Sequence, residues 1–223
     1  MRDDAAITKR ITFARHAESL SNARNRLSTK PPGQPVSPLG VQQARALGES
    51  LRGSGIEVVL HSPMLRARQT AEIVASALGA DITVDSSEDL LELDAGVLEG
   101  RHAGEAMSIL AEPWARWTVD DDLDVRSAEG GETAREVLQR FDRVIASNLP
   151  ARSLVVSHGG FLQLSVPNRS TNLHNRHGVV NWLRNCQTVE ASVLGNGRLV
   201  CDRWAGHAAD EWTEGKLVEV SVE

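Results

Sequence analysis

Short apolar runs that read as strands alternate along the chain with stretches of helical periodicity, and this alternation constrains the fold more than any other feature. Arg10 to Ala14 (Arg-Ile-Thr-Phe-Ala) reads as a short strand, and Ile56-Glu57-Val58-Val59-Leu60 as a buried one. Ser153-Leu154-Val155-Val156-Ser157 predicts a third strand and Asp81 to Val84 a further short one. Between them, Ser37-Pro38 supplies an N-cap followed by proline at the first helical position. That helix runs towards Leu51 with Val41, Ala44, Leu47 and Leu51 on one face, and Gly53 and Gly55 end it. Ser62-Pro63 opens a second helix that reaches Leu78 and stops at Gly79. Gly104 to Trp117 and Glu132 to Leu149 predict two more, separated by the acidic stretch Asp120 to Asp124, which reads as a solvated turn. Thr188 to Leu194 and Arg198 to Trp204 alternate across Asn196-Gly197, a hairpin signal. Residues 22–38 read as a loop over a strand end, and residues 165–180 are polar and carry no clear element. Strands alternating with helices predict an α/β fold with a mostly parallel central sheet and helices on both faces.

The 223 residues fit a single domain, with segments 101–127 and 165–182 available as cap or rim. No apolar run approaches the roughly 18 residues needed to span a bilayer. Met1-Arg2-Asp3-Asp4 lacks the basic-then-apolar layout of a secretory signal. A cytoplasmic location with no membrane partner is therefore expected. There, Cys186 and Cys201 are expected to be reduced core residues rather than a disulfide. The net charge of -6 argues against a nucleic-acid partner. An acidic protein that binds an anion must concentrate its cations locally, so the placement of arginines becomes informative.

Three predicted strands are each followed by a cation or an imidazole. Arg15-His16 follows the first, Arg66 follows the second by one helical turn, and His158 follows Ser157 directly. In open α/β sheets, ligands bind beyond the carboxyl ends of the strands. Convergence there would set two guanidiniums and two imidazoles around a small anion. Arginine suits phosphate through its planar fork of donors. Imidazole can act as nucleophile, donor or acid near neutral pH.

Phe13-Ala-Arg-His-Ala-Glu-Ser19 resembles the Arg-His-Gly-Glu signature of the histidine phosphatase superfamily, the phosphoglycerate mutase-like proteins. Ser62-Pro-Met-Leu-Arg-Ala-Arg-Gln-Thr-Ala71 is similar to that family's second phosphate-binding segment, and Glu92-Leu-Asp-Ala-Gly-Val-Leu-Glu-Gly100 to its acid-bearing loop. Gly130-Gly-Glu-Thr133 and Val156-Ser-His-Gly-Gly160 match later motifs in family order. The resemblance implies a phosphoglycerate mutase-like fold and a reaction that needs no metal and no cofactor. It implies that His16 is the nucleophile and Glu92 the acid and base. Arg15, Arg66, His158, Gly159 and Asn22 would bind the phosphate of a small-molecule phosphate monoester. It also leaves room for a homodimer. One departure is Ala17, where the family usually has glycine, so a slightly shifted pocket is expected.

Within the resemblance, a phosphatase of the phosphomonoesterase type is the leading reading. Residues 101–135 hold an acidic stretch and only Arg101, Arg116, Arg126 and Arg135 as fixed cations, a poor host for a second phosphate. A phosphoglycerate mutase-type phosphotransferase and a non-catalytic phospho-ligand-binding domain are the alternatives. Arg68, two residues from Arg66, is expected to point off its face. His102, His174, His177 and His207 lack ligand spacing and are expected to hold no metal. Trp114, Trp117 and Trp182 could be core or could wall the cleft. Residues 23–36, 101–127 and 165–182 would form the rim, whose Arg, Asn, Ser and Trp would suit a sugar phosphate or a nucleotide.

Overall fold

A computed structural model describes residues 6–79 and 81–208, so the Met1 to Asp4 segment lies outside the described residues. The chain opens with β1 (Ile7–Arg15), followed by a single-turn helix α1 (Leu20–Ala23) and by α2 (Pro38–Ser50). Ser37 caps α2 as its sequence predicts, accepting a hydrogen bond from the Gly40 N–H at 2.9 Å. Next come β2 (Val58–His61), α3 (Leu65–Leu78) and the edge strand β3 (Thr83–Ser86). The start of α3 departs from expectation: Met64, not Ser62, is the N-cap, and it makes no side-chain cap bond. The Ser62 hydroxyl is engaged instead by the Met64 N–H and by the ring of His158.

Two short 3-10 turns, Glu88–Leu90 and Gly96–Leu98, lead to α4 (Ala103–Thr118) and α5 (Ala134–Ala146). Thr133 and Glu136 form a capping box at the start of α5. Then follow β4 (Arg152–Ser157), α6 (Gly159–Arg169), a short α7 (His177–Val180), and the strands β5 (Thr188–Leu194), β6 (Leu199–Trp204) and β7 (His207–Ala208). The hairpin between β5 and β6 turns at Gly197, whose φ of 82° lies in the left-handed region, and Arg198 belongs to that turn. The segment from 165 that resisted assignment begins as the second half of α6. That helix is buried on nearly all sides, from Phe161 to Pro167, so it offers no amphipathic period to read.

Among the described residues the sheet runs β3-β2-β4-β1-β5-β6-β7. The first four strands are parallel, and β5, β6 and β7 extend the sheet as an antiparallel wing. Side chains alternate across it. Ala14, Val59, Leu154 and Val156 face α2 and α3 through Leu47, Ala67, Ala71 and Val74. Ile11, Phe13 and Val155 face the other layer, where Trp117 of α4, Phe141 of α5 and Phe161 of α6 meet them. Helices thus cover both faces, as the alternation predicts. Among the described residues no helix is long and apolar enough to cross a membrane. Cys201 is buried, Cys186 is half-buried, and both are free thiols.

Register brings the chemistry to one edge. Arg15 pairs with Ser157 across the β1–β4 ladder, and the His16 N–H donates to the Ser157 carbonyl at 2.9 Å. His61 pairs with Val156, and the Ser62 N–H donates to the Val156 carbonyl at 3.0 Å. Phe141 lies against Phe13 and Phe161 with ring centroids 5.6 and 5.8 Å away. It is fully buried, so Phe141→Ala should cost about 3–5 kcal/mol. A urea-unfolding midpoint that matches the parent's would refute this account of the core.

Candidate active site

Arg15 is the last residue of β1, and its Nη1 donates to the Leu183 carbonyl at 2.6 Å. Its Nε–H is buried and has no protein partner. Next in sequence, His16 is 2% exposed, and its Nδ1 lies 2.7 Å from the Ala17 carbonyl. A carbonyl can only accept, so Nδ1 carries the proton and Nε2 carries the lone pair. The second contact agrees: Arg66 Nε donates to that Nε2 at 2.9 Å. Asn185 Nδ2 donates to the His16 carbonyl at 2.9 Å and fixes the backbone from below the sheet edge.

Arg66 projects from the first turn of α3. Its Nη2 donates to the Ser28 carbonyl at 2.9 Å and lies 3.0 Å from His158 Nδ1. His158 therefore accepts on Nδ1 and donates from Nε2 to the Ser62 hydroxyl at 2.8 Å. The Nη1 of Arg66 is buried without a protein partner. Burial first, then the Arg66 guanidinium, holds both His16 and His158 well below the usual imidazole value of 6.5. Arg66 itself is pushed down, mainly by burial, to about 10, so it stays cationic at neutral pH.

Glu92 lies between the two 3-10 turns and reaches the start of α6. Its Oε1 accepts from the Leu93 N–H at 2.9 Å and the Phe161 N–H at 2.8 Å, and its Oε2 from the Gly160 N–H at 3.2 Å. A Cβ on Gly160 would sit 2.9 Å from that Oε1, so a larger residue there would push the carboxylate aside. Arg140 of α5 braces the loop from behind. Its Nη1 donates to the Asp89 and Leu91 carbonyls at 2.8 and 3.0 Å, on either side of Leu90. Nε and Nη2 of Arg140 bind Glu132, whose Oε2 also accepts from the Asp94 N–H at 2.9 Å. The Gly130-Gly-Glu-Thr133 motif thus contributes a brace for the acid loop. Arg140 does not stand out in the sequence, and Ser62 does so only as a helix start and the head of a motif, because each acts by holding another residue.

A cavity of about 370 Å³ opens over this edge. Arg15, His16, Asn22, Arg66, Glu92 and Gly159 all line it, so six of the seven residues singled out in the sequence converge. His158 does not: it is fully buried, its ring 5.2 Å from that of His16, and it reaches the site through Arg66. The Asn22 Oδ1 accepts from the Ser19 N–H at 3.0 Å, so the donor end of its amide is Nδ2. Rim residues come from the expected segments: Asn25 to Thr29, Met107 to Trp114, and Trp182. Trp117 is core, with its Nε1 donating to the Val125 carbonyl at 2.8 Å.

The Ala17 N–H donates to Thr70 Oγ1 at 3.0 Å, and among the described residues the non-glycine residues with positive φ are Asn25, Asp121, Cys186 and Ala205. Ala17 is therefore in no conformation that demands glycine. Arg68 is exposed and pairs with Glu72, as its position off the Arg66 face predicts. His177 packs edge-on against Trp204 at 4.8 Å, and burial lowers it to about 4. Among the described residues no group of three or more His, Cys, Asp or Glu could hold a metal ion.

The buried imidazoles give stability a pH dependence of known sign. Below 6.5 the unfolded chain binds protons at His16 and His158 that the native state does not, so stability falls as pH falls. Urea-unfolding midpoints should decline between about pH 7.5 and pH 5, with a shallower decline in His158→Gln. An identical slope in that variant would remove His158 from the account.

The sequence profile described as Histidine phosphatase superfamily (branch 1) matches residues 11–205. A Citrobacter koseri protein named "Probable phosphoglycerate mutase GpmB" is 41% identical over 156 residues, covering 67% of this chain and 69% of that one. The alpha-ribazole phosphatase structure from Shigella flexneri aligns with a TM-score of 0.67 at 24% identity, covering 89% of this chain and 97% of that one. A mycobacterial glucosyl-3-phosphoglycerate phosphatase aligns with a TM-score of 0.69 at 21% identity, covering 90% and 99%. Names on this fold thus include both mutase and phosphatase. With the motif order, the register that joins the strand ends and the matched span, the chain belongs to the histidine phosphatase superfamily, branch 1.

Proposed function

We propose that this chain is a phosphomonoester hydrolase that acts on a small phosphorylated metabolite through a phosphohistidine intermediate on His16. The observation that carries the reading is the convergence of Arg15, Asn22, Arg66 and Glu92 on one cavity around a neutral His16 imidazole. Two guanidiniums at one small pocket call for an anion with several acceptors, which a phosphoryl group supplies.

In this reading His16 Nε2 attacks phosphorus as the ester P–O bond breaks. Arg66 leaves Nε2 and turns its donors to the equatorial oxygens, where Arg15 and Asn22 add theirs. Charge compensation of this kind is the main demand of phosphoryl transfer. The Ala17 carbonyl keeps Nδ1–H in place and eases the positive charge that develops on the ring. Glu92, as the general acid, gives a proton to the leaving oxygen, an effect typically of about 10² to 10⁴-fold. It then takes a proton from the water that breaks the His16–phosphorus bond and releases inorganic phosphate. No step calls on a metal ion.

Charge at the rim favours hydrolysis over mutase chemistry. Arg101 pairs with Glu105 at 2.7 Å, Arg135 with Asp124 at 2.6 Å and Arg126 with Glu136 at 3.5 Å, while Arg116 pairs with Asp120 and Asp122. None of the four lines the cavity, where Arg26 is the only arginine besides Arg15 and Arg66 among the described residues. A second phosphate would find Arg26 as its one further cation there, among apolar Leu27, Met107, Leu110 and Trp114 and uncharged Asn25, Ser28 and Thr29.

The test is hydrolysis of p-nitrophenyl phosphate, with an acid-labile, alkali-stable phosphoryl label on the protein during turnover. His16→Ala should lose both, with a fall of at least about 10³-fold in kcat. Equal rates in parent and variant would end the hydrolase reading. Activity should also survive EDTA; loss on chelation that added metal restores would refute the metal-free mechanism. Conversion of 3-phosphoglycerate to 2-phosphoglycerate faster than to free phosphate would replace hydrolase with mutase.

A further inference from the structure

Beside the cavity over His16 lies a second one, of about 260 Å³, that no step above uses. Met107, Trp114 and Trp182 border both cavities, so the two share a wall rather than standing apart. Beyond that wall the second cavity is lined by Ala115 and Val119 at the end of α4 and by Val179 of α7. Val119, Val179 and Trp182 are 59%, 42% and 46% exposed. Single exposed apolar side chains need no explanation, but here three line one groove that leads from the phosphate pocket. Polar groups along it are few. Gln163 is spent, its Nε2 donating to the Gly178 carbonyl and its Oε1 accepting from the Leu183 N–H. Arg176 borders the groove and is itself exposed.

We infer that this groove receives the leaving group, and that the preferred substrate is a phosphate monoester of an extended apolar alcohol. The inference rests on the reading that the His16 pocket holds the phosphoryl group. Anchored there, a chain or ring that crosses Trp114 and Trp182 reaches Val119 and Val179 without leaving the protein surface. The sugar or nucleotide expected from the rim's polar residues fits less well, because most of its hydroxyls would lie against apolar side chains, with Arg176 at the border as the exposed polar group. Asn22, Asn25 and Asn185 line only the first cavity, so the side-chain amides free to meet a ligand gather at the end that holds the phosphate.

The experiment titrates the full chain calorimetrically with ethyl-, butyl- and octylphosphonate and measures kcat/KM for the matching alkyl phosphates. The dissociation constant should fall at least tenfold from ethyl to octyl, with a ceiling of about fourfold per methylene, and the heat-capacity change should grow more negative. Val119→Asp and Val179→Asp, both at exposed positions, should erase the gain and leave ethylphosphonate binding unchanged. Octylphosphonate binding no tighter than ethyl, or a gain that survives both substitutions, overturns the inference. So does a flat series alongside a sedimenting dimer that Val179→Asp dissociates, since a second copy would then cover the groove. Hydrolysis of ethyl phosphate with a flat series removes the groove and keeps the hydrolase. Tighter octyl binding with no ester hydrolysed keeps the groove and removes the hydrolase.

Discussion

Arg66 donates from Nε to His16 and from Nη2 to His158, and the protonation state of the site depends on that pair of bonds. Each bond requires a lone pair on the imidazole it reaches, so both rings are neutral with defined tautomers. The remaining ring nitrogens are fixed in turn by the Ala17 carbonyl and the Ser62 hydroxyl. One side chain on the first turn of α3 therefore orders two residues that come from other elements. The cost is a buried cation with no carboxylate in contact, which is why burial is the largest influence on Arg66.

Much of this was legible in the residues. The β1, β2 and β4 runs and the five motifs could be read because each is a local signal. Glu92 illustrates what local signals leave out. Glu88, Asp89, Asp94 and Glu99 surround it, and composition alone does not choose among the five. Geometry does: Asp89 pairs with Arg143, Asp94 accepts from the Gly96 N–H, and Glu99 accepts from Thr29. Only Glu92, of these five, borders the cavity. The burial of His158 behind Arg66 was likewise invisible, since sequence order says that a residue follows a strand but not how deep it sits. α6 stayed hidden for the opposite reason, being covered on every side and so without a polar face.

The walls obey a different rule from the floor. Arg15, His16 and Arg66 stand at the ends of paired strands or in the helix turn just after one, where backbone hydrogen bonds set positions closely. Leu27, Trp114 and Trp182 come from a loop, a helix and a connecting segment that meet only at the cavity. Chemistry and recognition are thus built from separate parts of the chain, a division common to folds whose sheets end in functional loops.

The brace by Arg140 is one of two holds on Glu92. Arg140 ties the loop around Leu90 to α5 and to Glu132, while the Gly160 and Phe161 N–H groups tie the carboxylate itself to the start of α6, directly after β4. In the proposed reaction the attacking nitrogen hangs on the β1–β4 ladder, so acid and nucleophile share β4 as a common mounting. A descendant of this chain that re-aimed its acid for a bulkier or more basic departing oxygen would have to move the end of β4 along with α5.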